Sequence, residues 1–162
     1  MRTSQIILGI DPGTNRMGYG AIKTEGSKIT VMEYGVIELT KGQGPSKLLS
    51  LSNSLSEIIK RVSPDTISVE RLFFSNNQKT ALQVAEARGA IMVAAAKSGA
   101  KIIEMTPNEA KSTVAGYGSA DKKAVMKMIQ LILGINDFKS IDDASDALAI
   151  AIAAFMGAGK EA

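Results

Sequence analysis

A mixed α/β sheet covered by helices is the architecture this sequence predicts, on three observations. Apolar residues alternate with period two in three successive runs before residue 40. Helical spacing then alternates with short apolar strands as far as residue 105, and beyond that only helical patterns follow. The chain has 162 residues, 45% hydrophobic and 4% aromatic. That suits one globular domain over residues 1–162, able to bury about 70% of the surface its unfolded chain would expose.

Ile6 to Asp11, Gly18 to Lys23 after the Pro12-Gly13 turn, and Ile29 to Leu39 read as an antiparallel meander of three strands. Leu48, Leu51, Leu55, Ile58, Ile59 and Val62 recur at helical spacing, and Ser63-Pro64-Asp65 closes that helix before a strand from Ile67 to Glu70. An Ala-rich helix over Gln78 to Lys97 leads to a fifth strand, Lys101 to Met105. Thr106-Pro107-Asn108-Glu109 is a capping box with Pro at the first helical position, so a helix starts there and stops near Gly116. Ser119 is the expected N-cap of the next helix, which runs to Leu133 with Gly134 as its stop. Ser140 is the expected cap of the last helix, ending at Gly157.

Composition narrows the chemistry. With no Cys and no His there is no disulfide, no thiolate or imidazole zinc site, and no Ser-His or Cys-His nucleophile. Carboxylates, Lys, Arg, Ser, Thr and Tyr remain, a set that suits a hard, oxygen-liganded metal. The apolar run at the N-terminus is too short for a signal peptide, and that from Ala147 to Met156 is half the roughly 20 residues a membrane span needs. A cytoplasmic protein is expected. The net charge of +3 is unevenly spread, with nine basic against four acidic residues over 71–127 and two against five over 128–162. A basic middle beside an acidic end suits a polyanion surface next to a carboxylate cluster.

Four acids stand out. Asp11 leaves a buried strand and is followed by Pro-Gly, where it is either a turn residue or a rigid carboxylate at the sheet edge. Glu70 finishes an apolar strand, a costly place for a charge unless it is paired, solvated or bound to a metal. Asp143 and Asp146 are three apart on one helix face and repel unless a cation lies between them. The helix dipole accounts well for an acid at Asp142 and less well for Asp146, one turn further in. Together they offer only carboxylate oxygen, the toolkit for Mg²⁺ or Mn²⁺ acting on phosphate esters.

GIDPGTNRMGYG, Glu70 followed by Phe73, ALQVAEARGA, TPNEAKSTVAGYGSADK and DDASDALAIAIA occur in this order over nearly the whole chain. In this the chain resembles the RuvC-type Holliday junction resolvases of the RNase H-like superfamily. The resemblance implies an RNase H-like mixed five-stranded sheet whose first three strands are antiparallel. It also implies that Asp11, Glu70, Asp143 and Asp146 are the metal-binding catalytic acids, with Mg²⁺ (or Mn²⁺) as cofactor and two ions per site. Some relatives carry His where Asp143 stands, whereas this chain relies on four carboxylates.

Lys111 and Lys122 match the family's basic positions near DNA, on either side of the Gly116-Tyr117-Gly118 loop. Phe73 takes the place of a base wedge at the branch point, although a Phe is more often core. The resemblance implies that the Ala- and Gly-rich helix over Gln78 to Lys97 helps form a homodimer, suited to two equivalent scissile strands. The expected activity is symmetric, metal-dependent hydrolysis of four-way junction DNA in recombination and repair, in partnership with a branch-migration helicase complex (RuvA and RuvB). Actin-like kinases share the G-I-D-x-G-T start but need two related halves. The short RuvC-like nucleases that trim ribosomal RNA precursors should not show the full DDASDALA ending. A junction-binding scaffold without chemistry would show broken acids.

Overall fold

The period-two apolar pattern becomes three long strands: β1 (Gln5–Asp11), β2 (Arg16–Glu25) and β3 (Lys28–Glu38), paired antiparallel in sequence order. The computed structural model describes residues 4–39, 44–71, 78–135 and 142–162. Helix α1 (Pro45–Val62) carries the chain back so that β4 (Thr66–Glu70) lies parallel to β1. Helix α2 (Gln78–Ser98) does the same for β5 (Lys101–Met105), parallel to β4. Then come α3 (Pro107–Ala115), α4 (Lys122–Leu133), α5 (Asp142–Phe155) and a two-residue strand β6 (Lys160–Glu161). The strand order is β3-β2-β1-β4-β5-β6, a mixed, RNase H-like sheet flanked by helices.

Alternation along the strands splits the core in two. Leu8, Ile10, Met17, Ala21, Ile67 and Val69 pack with the buried residues of α1 and α2. Their neighbours Ile7 and Ile22, with Met105, pack with α3, α4 and α5 on the other face. Every residue from Ala147 to Ala154 is buried, so α5 has no solvent face over those two turns. Its all-round apolar sequence is that of a helix enclosed between the sheet and other helices.

What lets α5 sit so close is a track of glycines on β1 and β2. A Cβ on Gly9 would overlap the carbonyl oxygen of Ala147, and one on Gly18 the carbonyl oxygen of Asp143. One on Gly20 would lie 2.7 Å from the Leu148 side chain. Only a residue without a side chain fits at these three points.

Boundaries and caps differ from expectation in places. Thr106 and Glu109 form the capping box, with Glu109 N–H donating to Thr106 Oγ1 at 3.1 Å and Thr106 N–H to Glu109 Oε2 at 2.7 Å. Ser119, however, is not the N-cap of α4. Asp121 is, accepting from the Ala124 N–H at 2.8 Å, and its charge also suits the positive end of the helix dipole. Helix α5 ends at Phe155, and Gly157 closes it as the left-handed residue of a Schellman motif: Ala158 N–H donates to Ala153 O, and Gly157 N–H to Ala154 O. Ser140 lies outside the described residues. The sheet gains a sixth strand over the expected five because Lys160 and Glu161 pair antiparallel with Glu104 and Ile103. Two exposed charged residues carry no apolar alternation; backbone pairing makes this strand, with Lys101 Nζ of β5 3.3 Å from Glu161 Oε2 beside it.

Gly9→Ala should destabilise the fold by about 1–3 kcal/mol or more, because a packed backbone must move. Gly89→Ala, on an exposed turn of α2 with nothing within 4 Å of the added carbon, should instead stabilise it by about 0.5–1 kcal/mol. Urea unfolding of the two variants beside the parent checks both signs, and equal effects would refute the close-approach argument.

Candidate active site

Parallel pairing of β1 with β4 sets Ile10 beside Val69, so the residues that end the two strands, Asp11 and Glu70, emerge side by side at one sheet edge. Each lies two residues beyond a position on the α5 face, Gly9 in β1 and Ser68 beside it in β4, so both carboxylates point toward α5. Across the sheet Asp11 pairs with Gly18, where the first turn of α5 touches down at Asp143. That contact brings Asp143, and Asp146 one turn later, over Asp11.

The electrostatics record the crowding. Burial, then the charges of Glu70 and Asp146, the hydrogen bond with Glu70 and the charge of Asp143 push the Asp11 carboxyl up to about 9. Burial also raises Glu70, opposed by its hydrogen bond with Asp11 and by the nearby Lys111 ammonium. Asp11 and Glu70 therefore share one proton near neutral pH, Asp11 O–H donating to the Glu70 carboxylate. The α5 acids are balanced differently. Asp143 Oδ2 lies 3.1 Å from Arg16 Nε, and Asp146 Oδ2 lies 3.8 Å from Lys122 Nζ.

The four expected acids thus converge on one point, with Lys111 beside Glu70 and Lys122 at the rim. Phe73 lies outside the described residues. As the side chains stand, no three acids among the described residues are drawn closely enough to close a metal shell. Two of them are turned to cations instead. The donor set nonetheless fits a hard divalent ion: it is all carboxylate oxygen and partly buried.

Two groups escaped the sequence reading. Arg16 opens β2 on the same face as Gly18 and Gly20 and pairs with Asp143. Its signal was the period-two spacing from those glycines. On the opposite face Glu104 of β5 bridges Arg88 of α2 and, at 3.7 Å, Arg71. Arg71 N–H donates to Met105 O at 2.7 Å, so the backbone just past Glu70 stays in the ladder.

An antiparallel meander extended by parallel strands, with acids gathered at the C-terminal edge beneath a buried helix, places the chain among the nucleases and resolvases of the RNase H-like class. The profile of the family described as crossover junction endodeoxyribonuclease RuvC matches residues 7–154. The chain belongs to that family. It is 47% identical over 148 residues to the RuvC of Ruminiclostridium cellulolyticum, covering 91% of this chain and 89% of that one. With the RuvC of Chloroflexus aggregans it shares 45% over 146 residues, covering 90% and 89%. The T. thermophilus RuvC solved in complex with a Holliday junction substrate superposes with a TM-score of 0.88 at 30% identity, covering 98% of this chain and 99% of that one.

Because the folded chain keeps a proton on Asp11 that the unfolded chain gives up above about 4, this group makes the metal-free protein less stable as pH rises toward 9. The melting midpoint without metal should fall between about pH 6 and pH 8.5, and Asp11→Asn should flatten that fall. Saturating Mg²⁺, which needs the carboxylate ionised, should raise the midpoint more at the higher pH. An unchanged pH dependence in the variant would separate Asp11 from the effect.

Proposed function

We propose that Asp11, Glu70, Asp143 and Asp146 are the centre at which this member of the crossover junction endodeoxyribonuclease family hydrolyses one phosphodiester in each of two opposing strands of a Holliday junction. The observation that carries the reading is the gathering of one further strand-end acid and two helix acids around Asp11, each of the three influencing its charge. One or two Mg²⁺ (or Mn²⁺) ions held by these oxygens would supply Lewis acidity and a water of lowered pKa for in-line attack. Asp11, flanked by the other three acids, would be a central ligand of that metal centre. Lys111, beside Glu70, is placed to neutralise the phosphate under attack. Lys122, exposed at the start of α4, is placed to hold a neighbouring phosphate once Asp146 turns inward.

The same reading makes the protein a homodimer, one centre for each scissile strand. Leu82, Gly89 and Val93 share one face of α2, where Leu82 and Val93 stay 69% and 54% exposed. Two exposed apolar side chains on one helix face suit a contact with a second copy across a two-fold axis. Among the described residues no helix is long and apolar enough to cross a membrane. A cytoplasmic, single-domain resolvase working with a branch-migration helicase complex is the setting we assign. Phe73, three residues past Glu70, is assigned the wedge against an unstacked base at the crossover.

A labelled synthetic four-way junction and a matched linear duplex, each with and without Mg²⁺, test the reading. The junction alone should be cut, and only with metal. Asp146→Asn keeps the side chain's shape but loses a charge, so it should leave junction binding near normal and lower the cleavage rate by at least about a hundredfold. Near-normal cutting by this variant would remove Asp146 from the centre. Phe73→Ala should melt within a few degrees of the parent yet cut closed junctions poorly, with the defect shrinking when unpaired bases are placed at the crossover. A core Phe would instead cost about 3–5 kcal/mol of stability.

A further inference from the structure

Arg16 is a cation that the reading above leaves without a task. It begins β2 at the end of the Pro12–Asn15 turn, and its guanidinium lies against Asp143 with 56% of its side chain exposed. The turn is held from both sides. Lys47 Nζ donates to Asn15 Oδ1 at 3.3 Å, and Leu39 N–H donates to Asn15 O at 2.7 Å. Between the turn and α5 lies an open cleft of about 270 Å³, lined by Gly13, Thr14, Asn15, Arg16 and Asp143. A Cβ on Gly13 would overlap the Arg16 carbonyl oxygen, so the turn is tight enough to leave no room for a side chain at that point.

We infer that Arg16 is a phosphate-contact residue of the nucleic-acid track, parked on Asp143 in the metal-free protein and released to the substrate backbone when Asp143 turns to a metal ion. The inference rests on the acids being a metal centre for nucleic acid, and adds a coupling to it: metal loading frees a cation at the cleft beside the reacting phosphate. An ion pair this exposed is weak, favouring the closed arrangement by a factor of roughly two to five, so a divalent ion can displace it. A guanidinium then presents a planar fork of donors that matches phosphate oxygens. Met17 is fully buried on the opposite face and Gly18 lies beneath α5, so the strand carrying Arg16 cannot slide and only its side chain need move.

The test uses the full chain with R16A and R16K, after thermal unfolding shows that each folds. Without DNA, calorimetry with Mn²⁺ should find R16A binding the ion roughly two- to fivefold more tightly than the parent, because Asp143 no longer has a competing partner. Gel shifts of a four-way junction over a salt series, in EDTA and in Ca²⁺, give the second readout. In Ca²⁺ the R16A slope of log affinity against log salt should be flatter by about one unit and R16K should restore it. In EDTA, with Arg16 partly held by Asp143, the difference between parent and R16A slopes should be smaller than in Ca²⁺, and an equal difference in both would overturn the parking. Equal slopes in Ca²⁺, or a Mn²⁺ affinity that R16A leaves unchanged or weakens, would overturn the role of Arg16. A parent protein that binds no Mn²⁺, or prefers linear duplex to junction, would overturn the functional reading itself, and that failure is seen without any variant.

Discussion

The closeness of α5 to the sheet is the constraint on which the remainder of the structure turns. Gly9, Gly18 and Gly20 leave a track without side chains, and the helix backbone lies down in it at Asp143, Ala147 and Leu148. Had the helix stood off by the thickness of an ordinary side-chain layer, Asp143 and Asp146 would hang above the strand ends without sensing Asp11. The same seating explains why α5 is enclosed on all sides, with α3 and α4 covering the face turned away from the sheet. Core packing and placement of the acids are one interaction in this protein.

Placing acids together carries an electrostatic cost, and the fold meets it in two ways. The strand acids, deeper and backed by apolar residues, share a proton. The helix acids, nearer solvent, lean on Arg16 and Lys122. The exposed pairs are weak and yield readily to a divalent ion, whereas the Asp11 proton is held firmly and its release makes metal binding depend on pH. Glu70 also needs a firm backbone. The ladder contact of Arg71 and the Glu104 bridge to Arg88 supply it from the opposite face of the sheet.

Much of this was legible along the chain. Short-range signals are written locally: period-two alternation over residues 5–38, helical spacing from Leu48 to Val62, the capping box at Thr106, and the glycines that stop α3 and α4. The errors were local too. Asp121 outcompetes Ser119 because a charged cap also meets the helix dipole. The strand at Lys160 has no pattern to read because two exposed charged residues carry no apolar alternation; backbone pairing and the Lys101–Glu161 ion pair hold it.

By itself the sequence determined the element order, the absence of any chemistry but that of oxygen and nitrogen side chains, and which four acids sit at the ends of buried elements. Through its motifs it also determined the family. Tertiary structure decided what these residues do to one another. Side-by-side emergence of Asp11 and Glu70 depends on a parallel register set by a crossover of more than fifty residues. The pairing of Arg16 with Asp143 depends on a helix that returns from the far end of the chain. Sequence separation hides such contacts, because periodicity describes which face a residue takes and not which distant face will be packed against it.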